Sequence, residues 1–136
     1  GQMRKVAIAG ILAYEPDVLI LDEPTRGLDP FGSMEIMGIF NDIHKKMNKT
    51  MVLVSHDMDI VYKYATRVVV MDEGKKVYDG QKEELFKDLY KDFHIDKPMV
   101  LKTIDYINSK LNYNLSYNNY DENDLLNSLK AVTSNE

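Results

Sequence analysis

Asp22 and Glu23 stand side by side after four consecutive apolar residues, Val18-Leu19-Ile20-Leu21, and are closed off by Pro24. Two adjacent carboxylates at the mouth of a buried strand repel each other unless a cation or a reacting group is supplied. Magnesium, held by carboxylates together with substrate phosphates, is the usual answer. The second candidate is His56, which follows Ser55 at the end of another apolar run, Met51-Val52-Leu53-Val54. A surface acid pair and a merely exposed histidine are the plainer readings of the two motifs taken singly. Their shared placement at strand ends weighs against both.

The elements around these residues explain that placement. A strand apolar at every position is expected to be covered on both faces, which predicts a parallel sheet flanked by helices. In such sheets ligands collect at the carboxyl ends of the strands, where Asp22 and Glu23 fall. Between the two runs, Ile36, Ile39, Phe40, Ile43 and Met47 recur at helical spacing from about Ser33, opposite Asn41, Asp42, Lys45 and Lys46. Strand, helix and strand make a right-handed β-α-β unit with both strands parallel in one sheet. His56 then reaches the same sheet edge as the acid pair, whereas His44 and His94 have no such placement. Residues 25–30 are dense in turn formers and add a further acid, Asp29.

Upstream, Val6, Ile8, Ala9, Leu12 and Ala13 predict a helix that Pro16 terminates. It begins close behind Gly1 and Gln2, and its free N–H groups and positive dipole end suit an anion. Arg4 and Lys5 in its first turn read as phosphate or partner contacts, or equally as a solvated cationic turn. Downstream, Asp57 and Asp59 open a helix carrying Met58, Val61, Tyr62 and Ala65. Residues 67–72 read as a third buried strand, turned at Glu73-Gly74 into an antiparallel partner over 75–80, with a short helix over 81–89. After an irregular stretch, Val100, Leu101, Ile104, Ile107 and Leu111 mark a helix. A polar linker over 112–119 separates it from a last helix bearing Leu125, Leu126 and Leu129. Two short amphipathic helices need a surface to lie on, either the main body or a partner.

Composition narrows the classes. The chain has 136 residues, 44% hydrophobic and 29% charged, a single domain's worth of an ordinary globular composition. It has no cysteine, which excludes disulfides and thiolate metal sites and fits a reducing cytoplasm. No apolar run approaches the roughly 20 residues that span a bilayer, and the amino end does not read as a signal peptide. A net charge of −5 argues against broad nucleic-acid binding.

With these residues in place, the chain resembles an ABC ATPase. Gly1-Gln2 looks like the end of the signature motif, residues 18–23 resemble the Walker B strand, Gly27-Leu28-Asp29-Pro30 the D-loop, and Ser55-His56-Asp57 the switch-histidine loop. Their order and spacing agree with that family over residues 1–80. Within it, Val6-Ala7-Ile8-Ala9-Gly10-Ile11-Leu12-Ala13 followed by Glu15-Pro16 is similar to the ATPases of energy-coupling factor transporters, the vitamin and metal-ion importers. The tail looks most like the second ATPase of that module. Arg26 stands where the family commonly has a small residue.

The seven glycines offer no phosphate-binding G-x-x-x-x-G-K-[ST] loop, since Gly74-Lys75 is followed by Lys76. The resemblance therefore implies the carboxyl-terminal half of a P-loop NTPase domain, α/β with a parallel β-α-β core, over residues 1–90. A helical extension over 91–136 follows as a dimerisation or partner region. It further implies ATP and Mg²⁺ as ligands, with Asp22 on the metal and Glu23 and His56 catalytic. Gly1, Gln2 and Asp29 act at the nucleotide interface between two subunits. The implied partners are a second ABC ATPase, in a homo- or heterodimer, a transmembrane coupling protein and a substrate-binding membrane component. The implied location is peripheral, at the cytoplasmic face of the cell membrane, with ATP hydrolysis in the intact protein and none by the fragment alone. Two other classes compete: an ABC protein acting on nucleic acid or ribosomes, and a non-catalytic dimerisation module.

Overall fold

The computed structural model describes residues 2–111, 113–116 and 122–133, the side chains of Gln2, Arg4, Lys5, Glu122, Ala131, Val132 and Thr133 excepted. Helix α1 (Gln2–Leu12) precedes strand β1 (Val18–Asp22), and α2 (Pro30–Met47) leads to β2 (Thr50–Val54). Helix α3 (Met58–Tyr64) leads to β3 (Arg67–Asp72) and β4 (Lys75–Gln81), followed by α4 (Lys82–Lys87), α5 (Met99–Leu111) and α6 (Glu122–Thr133). The chain divides into two compact units, residues 1–56 and 57–136.

In the first unit β1 pairs parallel with β2, from Val18 opposite Thr50 to Asp22 opposite Val54. This is the expected β-α-β arrangement, and α2 is its crossover. The helix starts at Pro30, ahead of the expected Ser33. Proline's fixed φ suits the first helical position, and Asp29 before it caps the helix, its Oδ1 accepting the Gly32 N–H at 2.7 Å. A Cβ on Gly32 would lie 2.9 Å from that same oxygen, so glycine leaves room for the cap. At the other end Asn48 adopts a left-handed φ of 51°. His44 Nδ1, 2.7 Å from the Lys49 carbonyl, shares a hydrogen bond there, a structural role.

Ile36, Met37, Phe40 and Ile43 of α2 are buried, as is Leu19 of β1. Two expectations fail here. Met47 is exposed, because it lies in the last turn. And β1 is covered on one face only: Leu19 is buried, but Val18 is 54% and Ile20 72% exposed. Val52 and Val54 of β2 lie on that same open face, since strand side chains alternate and the register matches Ile20 to Val52. An apolar run reports a preference for burial and does not itself supply the covering layer.

In the second unit β3 and β4 pair antiparallel, with an irregularity between Val70 and Met71. Arg67 grips Asp79 from β4 with two hydrogen bonds of 2.7 and 2.9 Å, and Lys76 Nζ adds one of 2.8 Å. These cations, Arg67 foremost, hold the Asp79 carboxyl far below the usual carboxylate range. β3 is not the buried strand expected, for Val69 and Met71 are exposed while Val68 and Val70 face the core. A hairpin with one packed face needs only alternate residues inside.

The core of this unit joins α3, α4, α5 and α6: Val61, Tyr62, Leu85, Phe86, Leu101, Ile104, Ile107, Leu115 and Leu125. The two amphipathic tail helices thus have their surface in the body of this unit. Leu111 and Leu126, expected on the inner stripes, are exposed. Leu115 is held to α5 by the Asn108 side chain, which donates to the Leu115 carbonyl at 2.9 Å and accepts its N–H at 2.8 Å.

Candidate functional site

Asp22 ends β1, and the ladder extends one step past it: the Glu23 N–H donates to the Val54 carbonyl at 2.9 Å. At Glu23 the backbone turns left-handed, with φ 44°. For a residue with a Cβ that conformation costs about 1–2 kcal/mol, and it is a feature that clusters at functional positions. The turn that follows is closed by the Arg26 N–H on the Glu23 carbonyl at 3.1 Å and the Leu28 N–H on the Thr25 carbonyl at 3.0 Å. Gly27 sits at φ 74°, open to glycine at little cost.

This turn points the Glu23 carboxylate at the end of β2. Its Oε1 accepts the backbone N–H of His56 at 3.1 Å and lies 2.6 Å from His56 Nδ1. The glutamate side chain is 24% exposed and the imidazole 84%, so the acid is sheltered and the ring faces solvent. The His56 hydrogen bond is the main cause holding the Glu23 carboxyl below its ordinary value of 4.5. Partial burial opposes it, and the charges of His56 and Arg26 reinforce it. A depressed carboxyl contributes stability above its unfolded value that is lost as pH falls through the folded one. Wild type should therefore exceed Glu23→Gln in urea midpoint above pH 4.5, and the gap should close on acidification below it. A gap that widens in acid would contradict the pairing.

The structure brings Asp22, Glu23 and His56 to one edge of the β1–β2 sheet. Asp29 lies at the start of α2, its carboxylate engaged as the helix cap. Gly1 and the side chains of Gln2, Arg4 and Lys5 lie outside the described residues. Among the described residues no group of three or more His, Asp or Glu side chains could hold a metal. The donor set at the site is then a single exposed carboxylate, Asp22, beside a glutamate already paired. That set fits magnesium, which keeps most of its water and takes one or two carboxylates along with substrate phosphates. Arg26, passed over in the sequence as a minor departure, emerges as a cation acting on Glu23. Its position three residues after an acid in a tight turn was the available signal.

The EcfA2 energy-coupling factor transporter ATP-binding protein of Clostridium tetani is 56% identical over 89 residues, covering 65% of this chain and 31% of its own. That of Ligilactobacillus salivarius is 52% identical over 100 residues, covering 72% and 35%. Over this shared segment the chain is similar to the energy-coupling factor transporter ATP-binding proteins. It spans about a third of the length of these curated relatives. Among solved structures it is similar to cbiO1 of Clostridium perfringens, described as part of the ABC transporter complex cbiONQ. The TM-score is 0.62 at 40% identity, over 82% of this chain and 39% of that one. It also resembles a dimeric ATP-binding cassette in a post-hydrolysis state bound to ADP and Pi, with TM-score 0.53 and 29% identity over 59% and 34%. No family model matches the chain. The fold is thus part of the α/β ABC ATPase domain, as the motifs implied.

Proposed function

We propose that this chain supplies the hydrolytic and switching edge of an ATPase that drives an energy-coupling factor importer. The observation that carries the reading is the Glu23–His56 contact at the strand ends, directly beside Asp22. The intact ATPase would also carry a phosphate-binding loop, which this sequence does not contain.

Asp22 would hold Mg²⁺, mostly through water, and that ion neutralises phosphate charge when bound. Glu23, kept ionised, orients a water for in-line attack on the γ-phosphorus and accepts its proton as the bond to the bridging oxygen breaks. The solvent-facing His56 ring leaves Glu23 to hydrogen-bond the γ-phosphate, where charge develops. Asp29 reaches the neighbouring subunit from the start of α2 and couples the two sites. Gly1 and Gln2 close on nucleotide held by that neighbour, so that ATP lies between two chains and its hydrolysis releases them.

The partners are a second ABC ATPase, a transmembrane coupling protein and a substrate-binding membrane component; no nucleic acid is involved. The similar structures, one part of a transporter complex and one a dimeric cassette, support this reading. Among the described residues no helix is long and apolar enough to cross a membrane, which fits a peripheral subunit at the cytoplasmic face. Residues 91–136 keep the two ATPases attached as the nucleotide interface opens.

The test uses the longer ATPase carrying this sequence, co-purified with its partner ATPase. Phosphate release should require Mg²⁺ and rise when the membrane components are added. Hydrolysis that persists undiminished in chelator, or absence of hydrolysis in the assembled complex, would defeat the reading.

A further inference from the structure

The hydrogen bond between Glu23 and His56 has a direction. An ionised glutamate can only accept, so the hydrogen shared across 2.6 Å sits on His56 Nδ1. A neutral imidazole carries one N–H, and its other nitrogen is a lone-pair acceptor. While the ring rests on Glu23, Nε2 can therefore receive a hydrogen bond but cannot give one to an anion. Both donors of His56 converge on one oxygen, since Oε1 also takes the backbone N–H at 3.1 Å. These contacts lie wholly within the first compact unit. The two partners differ in freedom. Glu23 is fixed by its backbone, its N–H on the Val54 carbonyl at 2.9 Å and its carbonyl on the Arg26 N–H at 3.1 Å. Its side chain is sheltered, whereas the His56 ring is 84% exposed, and exposed side chains change rotamer within nanoseconds. The ring is the part that moves.

We propose that this contact is a self-inhibiting latch: Glu23 and the γ-phosphate compete for the single N–H of the neutral His56 ring, so bound nucleotide gains that donor only by taking the ring from Glu23. No covalent bond changes; one acceptor replaces another. The intact ATPase then binds ATP more weakly than it would without the contact, and the ring reaches phosphate only in the loaded site. Release also reopens a lone pair on Oε1, next to the water that Glu23 orients. The proposal rests on the reading of this sheet edge as a nucleotide-hydrolysing site.

The test is a cycle of nucleotide affinities in the longer ATPase with its partner held constant, for wild type, Glu23→Gln, His56→Ala and the double variant. Binding is measured with a slowly hydrolysed ATP analogue and Mg²⁺ in alkaline buffer, which keeps an imidazole neutral. The neutral oxygen of glutamine is the weaker acceptor, so Glu23→Gln should tighten binding more with His56 present than with alanine in its place. The excess should be about tenfold, the scale of one hydrogen bond to a charged group. Relief of repulsion between carboxylate and phosphate is common to both backgrounds and cancels in the cycle. Equal tightening in the two backgrounds overturns the proposal. On this full chain, the nitrogen NMR spectrum of the imidazoles should show neutral His56 protonated at Nδ1; protonation at Nε2 overturns it equally. Should the chain alone fail to fold, the affinity cycle decides. ATP turnover separates the two readings. Equal tightening together with Mg²⁺-dependent hydrolysis removes the latch alone, whereas failure of every protein in the cycle to bind nucleotide removes the hydrolytic reading and the latch with it.

Discussion

Glu23→Gln in the longer, partnered ATPase should lower the rate of ATP hydrolysis by about 10²–10⁴-fold, the span that a positioned general base contributes. The substitution is close to isosteric and keeps an oxygen for the His56 N–H, so the turn at Glu23 and the sheet edge should survive. What disappears is the charge that polarises the attacking water. Asp22, the metal-holding residue in this reading, is untouched, and nucleotide should still bind. The ATP-bound pair of subunits should therefore accumulate instead of turning over, visible as an ATP-stabilised dimer in gel filtration. Equal steady-state rates for variant and wild type would place the working base elsewhere, for example around the partner's own carboxylate.

Phe86→Ala should destabilise the second unit by about 3–5 kcal/mol, the range for removing a large aromatic from a core. Phe86 is 1% exposed and packs edge-on against Tyr62, with ring centroids 5.6 Å apart and planes at 79°. Such a pair adds roughly 0.5–1.5 kcal/mol beyond area burial. Against a total stability of roughly 5–15 kcal/mol for a domain, that is a large fraction. The urea midpoint followed by circular dichroism should fall steeply, with the tail helices melting together with α3, because all contribute to one core. A loss below about 1 kcal/mol, the size of an ordinary surface change, would mean that this side chain is not a core anchor.

Much of this was legible from residue order. The two apolar runs with an amphipathic segment between them predict the parallel pair and its crossover, and the pair follows. Glu73-Gly74 predicts the hairpin that β3 and β4 form. The same topology predicts His56 beside the acid pair, where its Nδ1 lies 2.6 Å from Glu23 Oε1. Asp29-Pro30 carries a cap and first-turn signal that a count of turn formers does not reveal. The left-handed φ of Glu23 had no signal, since nothing in Asp-Glu-Pro requires it. Nor did the Asp59–Met99 link, which joins residues distant in sequence through a side-chain oxygen and a backbone N–H that any residue but proline provides. The exposure of Ile20 was misread for a different reason: hydrophobicity describes what a side chain prefers, and the neighbours that satisfy it are set by tertiary structure.

The open face formed by Val18, Ile20, Val52 and Val54 has a colloidal consequence. Four aliphatic side chains presented on a two-stranded sheet make a sticky plane on which another molecule can settle without either unfolding. The net charge of −5 opposes such encounters at low ionic strength, and salt screens that repulsion within about 10 Å at 0.1 M. Added salt should therefore favour association through this face.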